Sequence, residues 1–434
     1  MPIPLGLLST SLSCLALVAS LGLAACGTGN NTACDGKAAA RCGSGGSNGS
    51  ASAGAGGYHS TSSTVLKIEG TVIYDLSKPS SATAPSNPDA GNAVDGAPVM
   101  LRGVSRSGTE YQCVRGLGIF DGPDTEVSIQ AIASWKINAV RVPLNESCWL
   151  SINGAPTWAS GNMYKSAIQH YVTLLHKYDI FPILELHWAA PGAKLANEQI
   201  PMPDADHAID FWKDVALTFK DDLGVIFELY NEPFPSENSD SDAAWECWKN
   251  GCLSDTWAYV PGDAGASVRQ KASYQSIGFS QLVAAVRETE GVNTTAHHVI
   301  LLGGVQYSNS LTQWSKYKPD DPANNLGAAW HIYNFNRCSY AGCFDVMTAT
   351  INTAIVVTEF GQDDCHGNLV SEWMRWFDTH TAGYLAWAWD ADHECRAASD
   401  QAPNPWPLIS NYDGTPSLGL GQTVHDHFAA ASVQ

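Results

Sequence analysis

The sequence predicts an α/β fold, a single (β/α)8 TIM barrel preceded by an apolar leader and a Gly/Ser-rich tether. Two observations carry the prediction. From about Val99 onward, short apolar runs alternate with turn residues and segments of helical period, the pattern of a parallel sheet with crossover helices. Eight such runs can be drawn, near 99–104, 137–143, 180–187, 225–230, 298–303, 328–333, 354–359 and 383–389, and eight strands joined by crossovers close into a barrel. The stretch 64–434 is long for one domain, but barrels of this type reach that size as one unit.

Residues 3–25 are almost wholly apolar or small and lead into Leu23-Ala24-Ala25-Cys26-Gly27. This resembles a bacterial lipoprotein signal, cut before Cys26 so that the cysteine carries lipid. It departs from one in having no Lys or Arg before Lys37. The expectation is an exported protein, anchored at the cell surface through Cys26 or secreted. Residues 27–63 are rich in Gly, Ser, Ala and Asn, too poor in apolar surface to build a core, and read as a flexible tether. Gly45-Gly46-Ser47-Asn48-Gly49 matches a serine-hydrolase elbow but has no strand before it or helix after it, so it carries nothing. The expected division is therefore 1–26 signal, 27–63 linker and 64–434 barrel.

A net charge of −20 excludes nucleic acid and anionic membrane as partners, since neutralising phosphates takes clustered Lys and Arg. Membrane contact would come only through lipid on Cys26, and a monomer is expected. Neutral polysaccharide is compatible with the charge, and the 15 Trp and 15 Tyr suit sugar rings as well as an ordinary core. Of 12 cysteines, ten remain besides Cys14 and Cys26, an even number that fits export. Cys247–Cys252, Cys338–Cys343 and Cys34–Cys42 would close small loops. Cys113–Cys148 and Cys365–Cys395 complete one pairing among those the sequence leaves open.

Helices are expected over 125–135, 162–178, 205–222, 267–290, 343–353 and 368–380. Val65 to Leu76 reads as a strand or hairpin flooring the barrel, followed by a Pro/Ser-rich loop to Ala97. Pro235 to Asp263, bearing Trp245, Trp248, Trp257 and Tyr259, reads as a long loop that either walls one end of a cleft or is a surface flap.

Two apolar runs end abruptly in a carboxylate: Val225 to Phe234 closes in Asn231-Glu232-Pro233, and Ala354 to Gly361 in Thr358-Glu359-Phe360-Gly361. A glutamate at the tip of a buried strand is costly unless paired or used. Arg141, inside the apolar strand Asn138 to Pro143, likewise needs a buried anion. His331 and Tyr333 share one face of their strand by period-2 alternation, as do Trp387 and Trp389.

The ordered set Arg141, His187, Asn231-Glu232, His331-x-Tyr333, Glu359 and Trp387 resembles glycoside hydrolase family 5, the cellulases, mannanases and related β-glycosidases, from about Val99 to Asp390. The resemblance implies the (β/α)8 fold and a retaining β-glycosidase without metal or cofactor. In it Glu359 is the nucleophile, and Glu232 is the acid and then the base, with a carboxyl pKa raised by its surroundings. It places Arg141 beside Glu359 and His187 over the sugar being cleaved. Asn231 binds the 2-hydroxyl of that sugar, Tyr333 bonds the nucleophile, and His331 meets the sugar or the acid/base. One of Trp387 and Trp389 forms the stacking floor, with Trp387 favoured. Further subsite candidates are Trp188, Trp245, Trp257, Trp389 and Asn145, the last equally a turn residue. Glu185 has no assigned role, and Glu228 lies too deep to be the acid.

The implied substrate is polysaccharide or oligosaccharide. The stretch Leu101 to Tyr111 resembles family members that are cellulases, pointing to endo-cleavage of β-1,4-glucan, with β-mannanase or exo-β-glucosidase as alternatives. Two other classes are weighed against it. A non-catalytic sugar-binding lipoprotein would not need both carboxylates. A metal-dependent barrel hydrolase could draw on Asp363, Asp364, His366, Asp392, His393 and His425-Asp426-His427, yet Ser105-Arg106-Ser107-Gly108 follows the first strand where such a site starts with His-x-His.

Overall fold

Strands that face a filled barrel inside and helices outside are buried on both faces and read as unbroken apolar runs. The runs Ala139–Asn145, Phe181–Trp188 and Leu326–Tyr333 are of this kind, buried along almost their whole length. The computed structural model describes residues 62–80, 94–261, 267–291, 296–391 and 406–431, with the side chains of 257–270 outside the description. In it eight parallel strands close on themselves: Arg102–Ser105, Ala139–Asn145, Phe181–Trp188, Ile226–Glu228, Ile300–Gly303, Leu326–Tyr333, Ile355–Gly361 and Gly383–Trp387. The eighth pairs back onto the first, Trp387 opposite Ser105. Gly103 makes the first two strands' approach possible, because a Cβ there would fall 1.8 Å from the Ala139 carbonyl oxygen.

The lower mouth is stopped by the expected hairpin, Leu66–Glu69 with Val72–Asp75, extended to three strands by Ala97–Val99. Leu66, Ile68 and Ile73 pack there on Leu101, Phe181, Ile183, Ile226, Leu301 and Leu385. Helices Glu126–Ser134, Asn162–Lys177, Ala208–Phe219, Phe279–Glu290, Ala341–Thr348 and Asn368–Thr379 match expected segments.

One of those segments is half wrong. Ser267–Gln275, expected as the start of a helix, is a strand paired antiparallel with Leu253–Pro261. Arg269, Gln270, Lys271 and Ala272 are helix formers, and the partner strand's ladder overrides that weak preference. The presumed loop also contains a helix, Asp242–Asn250, capped by the Ser241 side chain accepting from the Ala244 amide. A closing helix, Leu420–Ala431, was not anticipated.

The disulfides Cys113–Cys148, Cys247–Cys252 and Cys338–Cys343 form as paired above. Cys365 is disulfide-bonded as well. Its expected partner Cys395 lies outside the described residues, as do Cys14, Cys26, Cys34 and Cys42 with the leader and most of the tether.

Candidate active site

The site is assembled at the C-terminal ends of the barrel strands, where the hydrogen-bonding needs of buried charges meet. Arg141, wholly buried on the second strand, is its hub. Nη1 donates to Glu359 Oε1 at 2.6 Å, Nε to Glu228 Oε2 at 2.6 Å, and Nη2 to Asn231 Oδ1 at 2.9 Å. Glu185 Oε2 lies 3.4 Å from Nη2. The Tyr333 hydroxyl donates to the other Glu359 oxygen at 2.7 Å, so both oxygens of that carboxyl are held. Because Arg141 claims Asn231 Oδ1, the amide must turn its Nδ2 toward His187, 3.5 Å from Nε2.

His331 joins the carboxyls. Its Nδ1 lies 3.0 Å from Glu232 Oε1 and 3.5 Å from Glu359 Oε2. Its Nε2 meets Thr358 Oγ1 at 3.1 Å, and that hydroxyl donates to Glu228 Oε1 at 2.9 Å. A chain of hydrogen bonds thus runs from Glu232 through His331 and Thr358 to Glu228. Burial alone would lower the His331 pKa, but Glu359, Glu228 and Glu232 outweigh it and raise it to about 10. Burial would raise Glu228, and the Arg141 and His331 charges pull it down to about 2. Burial pushes Glu185 well up despite Arg141, and its Oε1 meets no donor.

Glu232 departs from the expectation of a raised carboxyl. Burial does push it up, but hydrogen bonding and attraction from the His331 cation outweigh that, and its pKa is lowered. The Glu232 backbone sits at φ +46°, a left-handed conformation strained for a residue with a side chain. Oxygens of Glu232 and Glu359 lie within 4.8 Å of each other, with His331 inside the same span. The cleft over them has a volume of 540 Å³, and His187, Asn231, Tyr333 and Trp387 are among the residues that line it. The His187 ring lies parallel to Trp387, centroids 5.6 Å apart.

A sequence comparison decides the family. The Cellulase model, glycosyl hydrolase family 5, matches residues 93–393. The chain belongs to glycosyl hydrolase family 5. It is therefore a glycosidase. The cellulase CelDZ1 of a Thermoanaerobacterium species is 25% identical over 321 residues, 70% of this chain and 69% of that protein. An endoglucanase of a Bacillus species is 27% identical over 164 residues, 36% of this chain and 15% of that protein's length. A Saccharophagus degradans β-glucanase structure matches with TM-score 0.56 at 16% identity, covering 86% of this chain and 94% of that one. A Pyrococcus horikoshii endocellulase, solved with cellotetraose, matches with TM-score 0.57 at 15% identity, covering 85% and 100%. These structural likenesses show the fold.

Several subsite candidates do not reach the family 5 cleft. Asn145 is buried as the cap of helix Glu146–Leu150; its Oδ1 accepts from the Cys148 amide and its Nδ2 donates to the carbonyls of Glu110 and Ala196. Trp245 is fully buried, its indole donating to Asp240 and its ring edge-on to Trp248. Trp389 is buried edge-on against Trp135, so strand alternation stops at Trp387, where the strand itself ends. Trp188 is half-buried beside Tyr111, outside the cleft lining. The side chain of Trp257 lies outside the described residues.

The cleft also contains residues the sequence did not flag. Gln199, from the loop after the third strand, donates to the Glu232 carbonyl at 3.1 Å and to Glu232 Oε2 at 3.3 Å. Asn238, Tyr307, Phe335, Asn336, Arg337 and Trp406 line it as well. Phe335 stands two residues past Tyr333, the polar end of its strand, which is the signal that could have found it, whereas Tyr307 stands four residues past Gly303 and carries no such signal.

Glu232, His331 and Glu359 are close enough to share a cation. They do not suit one, because both His331 nitrogens carry protons engaged by Glu232 and Thr358. The other metal-ligand candidates are dispersed. Asp363 bonds Asn334, Asp364 bonds Gln362, His425 bonds Asp426 and His427 bonds Asp378, while Asp392 and His393 lie outside the described residues.

Proposed function

We propose that this family 5 glycosidase cuts β-1,4-glucan chains internally by double displacement with retention, with Glu359 as nucleophile and Glu232 as acid and then base. The observation that carries it is the carboxyl spacing: oxygens within 4.8 Å suit the about 5–5.5 Å of retaining enzymes, not the roughly 6.5–9.5 Å that inverters need for a water between. Arg141 and Tyr333 fix both Glu359 oxygens, which aims the carboxyl for attack at the anomeric carbon.

Before substrate binds, the acid's proton rests on His331 Nδ1, one hydrogen bond from Glu232 Oε1. A sugar seated on Trp387 expels water from the Glu232 carboxyl, whose side chain is 19% exposed. Desolvation then disfavours both the imidazolium and the carboxylate, and the proton moves to Glu232. Attack by Glu359 breaks the bond to the leaving oxygen as Glu232 protonates it. Glu232, now a carboxylate, takes a proton from a water whose oxygen attacks the anomeric carbon; the ester bond to Glu359 breaks, and the sugar leaves with the β configuration.

The relatives named endoglucanase and cellulase support internal cleavage of β-1,4-glucan. Their low identity makes substrate the point to test. Proton NMR of the first product from cellotetraose, glucomannan, mannan and laminarin should show a β-anomer, formed fastest from the β-1,4-glucan. An α-anomer formed first overturns the mechanism, and faster cutting of mannan overturns the substrate. We also infer export with lipid on Cys26. The disulfides support an oxidising compartment, and a Cys26→Ala variant that stays membrane-bound would refute the lipid.

A further inference from the structure

Every arginine with a described side chain has a partner, save one. Arg102 pairs with Asp378, Arg106 with Asp121, Arg141 with its glutamates and Arg287 with Asp321. Arg115 lies over the Tyr111 ring, and Arg375 donates to Ser371. Arg337 has no ion pair or hydrogen bond among the described residues, although the chain holds 43 acidic against 23 basic residues. It is exposed and lines the catalytic cleft. Apart from His187, the other described lining residues carry neutral amides, aromatic rings or the two catalytic carboxyls.

The backbone beneath Arg337 is fixed from both sides. Before it, the Tyr333 amide donates to Asn336 Oδ1 at 2.6 Å and the Asn336 amide returns a bond to the Tyr333 carbonyl at 2.9 Å. After it, Cys338 is clamped to Asn309, donating to Oδ1 at 3.0 Å and accepting from Nδ2 at 3.1 Å, and is tied to Cys343. Two residues away, Phe335 is 60% exposed on the same cleft wall, its ring parallel to Tyr333 at 5.3 Å.

We propose that Phe335 and Arg337 form a subsite for a sugar residue bearing a carboxylate, the ring stacking on Phe335 and the acid group pairing with the guanidinium. A neutral glucan needs no cation in its cleft. One carried on a fixed backbone and unpaired among the described residues, beside an aromatic platform and in a strongly acidic protein, offsets the repulsion an anionic chain would otherwise meet. The enzyme thereby accepts acidic β-glycans, those carrying uronic acid residues, as well as neutral ones. The inference rests on the glycosidase reading of the same cleft.

The test is calorimetric binding of cellotetraose and of the same oligosaccharide with one C6 oxidised to a carboxylate. A Glu232→Gln background prevents cutting, with Arg337 intact, Arg337→Gln or Arg337→Glu. The ratio of acidic to neutral affinity should fall about threefold in the glutamine variant, the scale of an exposed ion pair. It should fall further in the glutamate variant, and shrink at 1 M salt in the protein with Arg337 intact. A ratio equal in all three proteins, or an equal loss on both ligands, overturns the inference. Hydrolysis of the neutral ligand by the unmodified enzyme is read separately. Its absence would sink the proposed function while the binding ratio still decides this one.

Discussion

Arg141→Lys separates the geometry of the hub from its charge. The guanidinium sends three nitrogens in three directions, to Glu228, Glu359 and Asn231, all buried. A lysine in its place keeps the charge but has one nitrogen at the end of a flexible stem, and it cannot serve that fork. At least two charge-assisted hydrogen bonds are lost, each worth about 1.5–3 kcal/mol net. The expected destabilisation is therefore roughly 3–6 kcal/mol, a large part of the 5–15 kcal/mol typical of a whole domain. Glu359, the proposed nucleophile, also loses the donor on Oε1, and misplacing such a group by about 1 Å costs on the order of 100-fold. Urea unfolding at constant slope, with kcat/KM measured on the same preparations, reads both effects. Arg141→Met, which strands buried carboxylates without a cation, should be worse still. If Arg141→Lys kept the wild-type midpoint and kcat/KM, charge alone would hold the site, and the argument from the fork would be wrong.

Gln199→Ala removes donors from the Glu232 carbonyl and carboxyl. It should lower kcat/KM about two- to tenfold with little change in Tm, on the scale of one hydrogen bond; an unaltered kcat/KM would show that Gln199 does not position the acid. The pKa of His331 is raised in the folded chain, so its stabilisation is complete below about pH 6.5 and disappears as pH climbs through about 10. Tm should therefore decline more steeply over that window in the wild type than in His331→Gln, and parallel declines would contradict the shift. The Cys113–Cys148 bridge spans 35 residues and Cys247–Cys252 spans 5. On loop entropy their removal costs about 4 and about 2 kcal/mol, and denaturation of paired serine variants should rank them in that order.

The barrel and its two glutamates were legible because burial makes a charge conspicuous. Arg141, Glu232 and Glu359 stand at or near the ends of runs that are otherwise apolar, and nothing but a shared site accounts for them. Trp245, Trp389 and Asn145 failed for the converse reason. Tryptophan serves core and sugar platform alike, and asparagine caps helices as readily as it binds hydroxyls, so type and spacing leave direction open. Gln199 lies in a loop without periodicity, and its partner Glu232 is 33 residues away. The lowered Glu232 depends on His331, 99 positions along the chain, whose charge depends in turn on carboxylates from other strands. Ser267–Gln275 shows the same limit for secondary structure, since a strand made by its partner cannot be read from its own residues.

The carboxyl-lined cleft and the closure of this cylinder occupy opposite ends of the barrel. The Leu66–Asp75 hairpin acts as a stopper for Ile183, Ile226, Leu301 and Leu385 while touching none of the reacting groups. Trimming the chain back past Asp75 would leave each residue from Arg141 to Trp387 in its covalent place, yet flood the base of the bore with water. An enzyme shortened that way should be lost by unfolding rather than by damaged chemistry, so the boundary for a minimal active fragment falls before Leu66 and not at the first barrel strand.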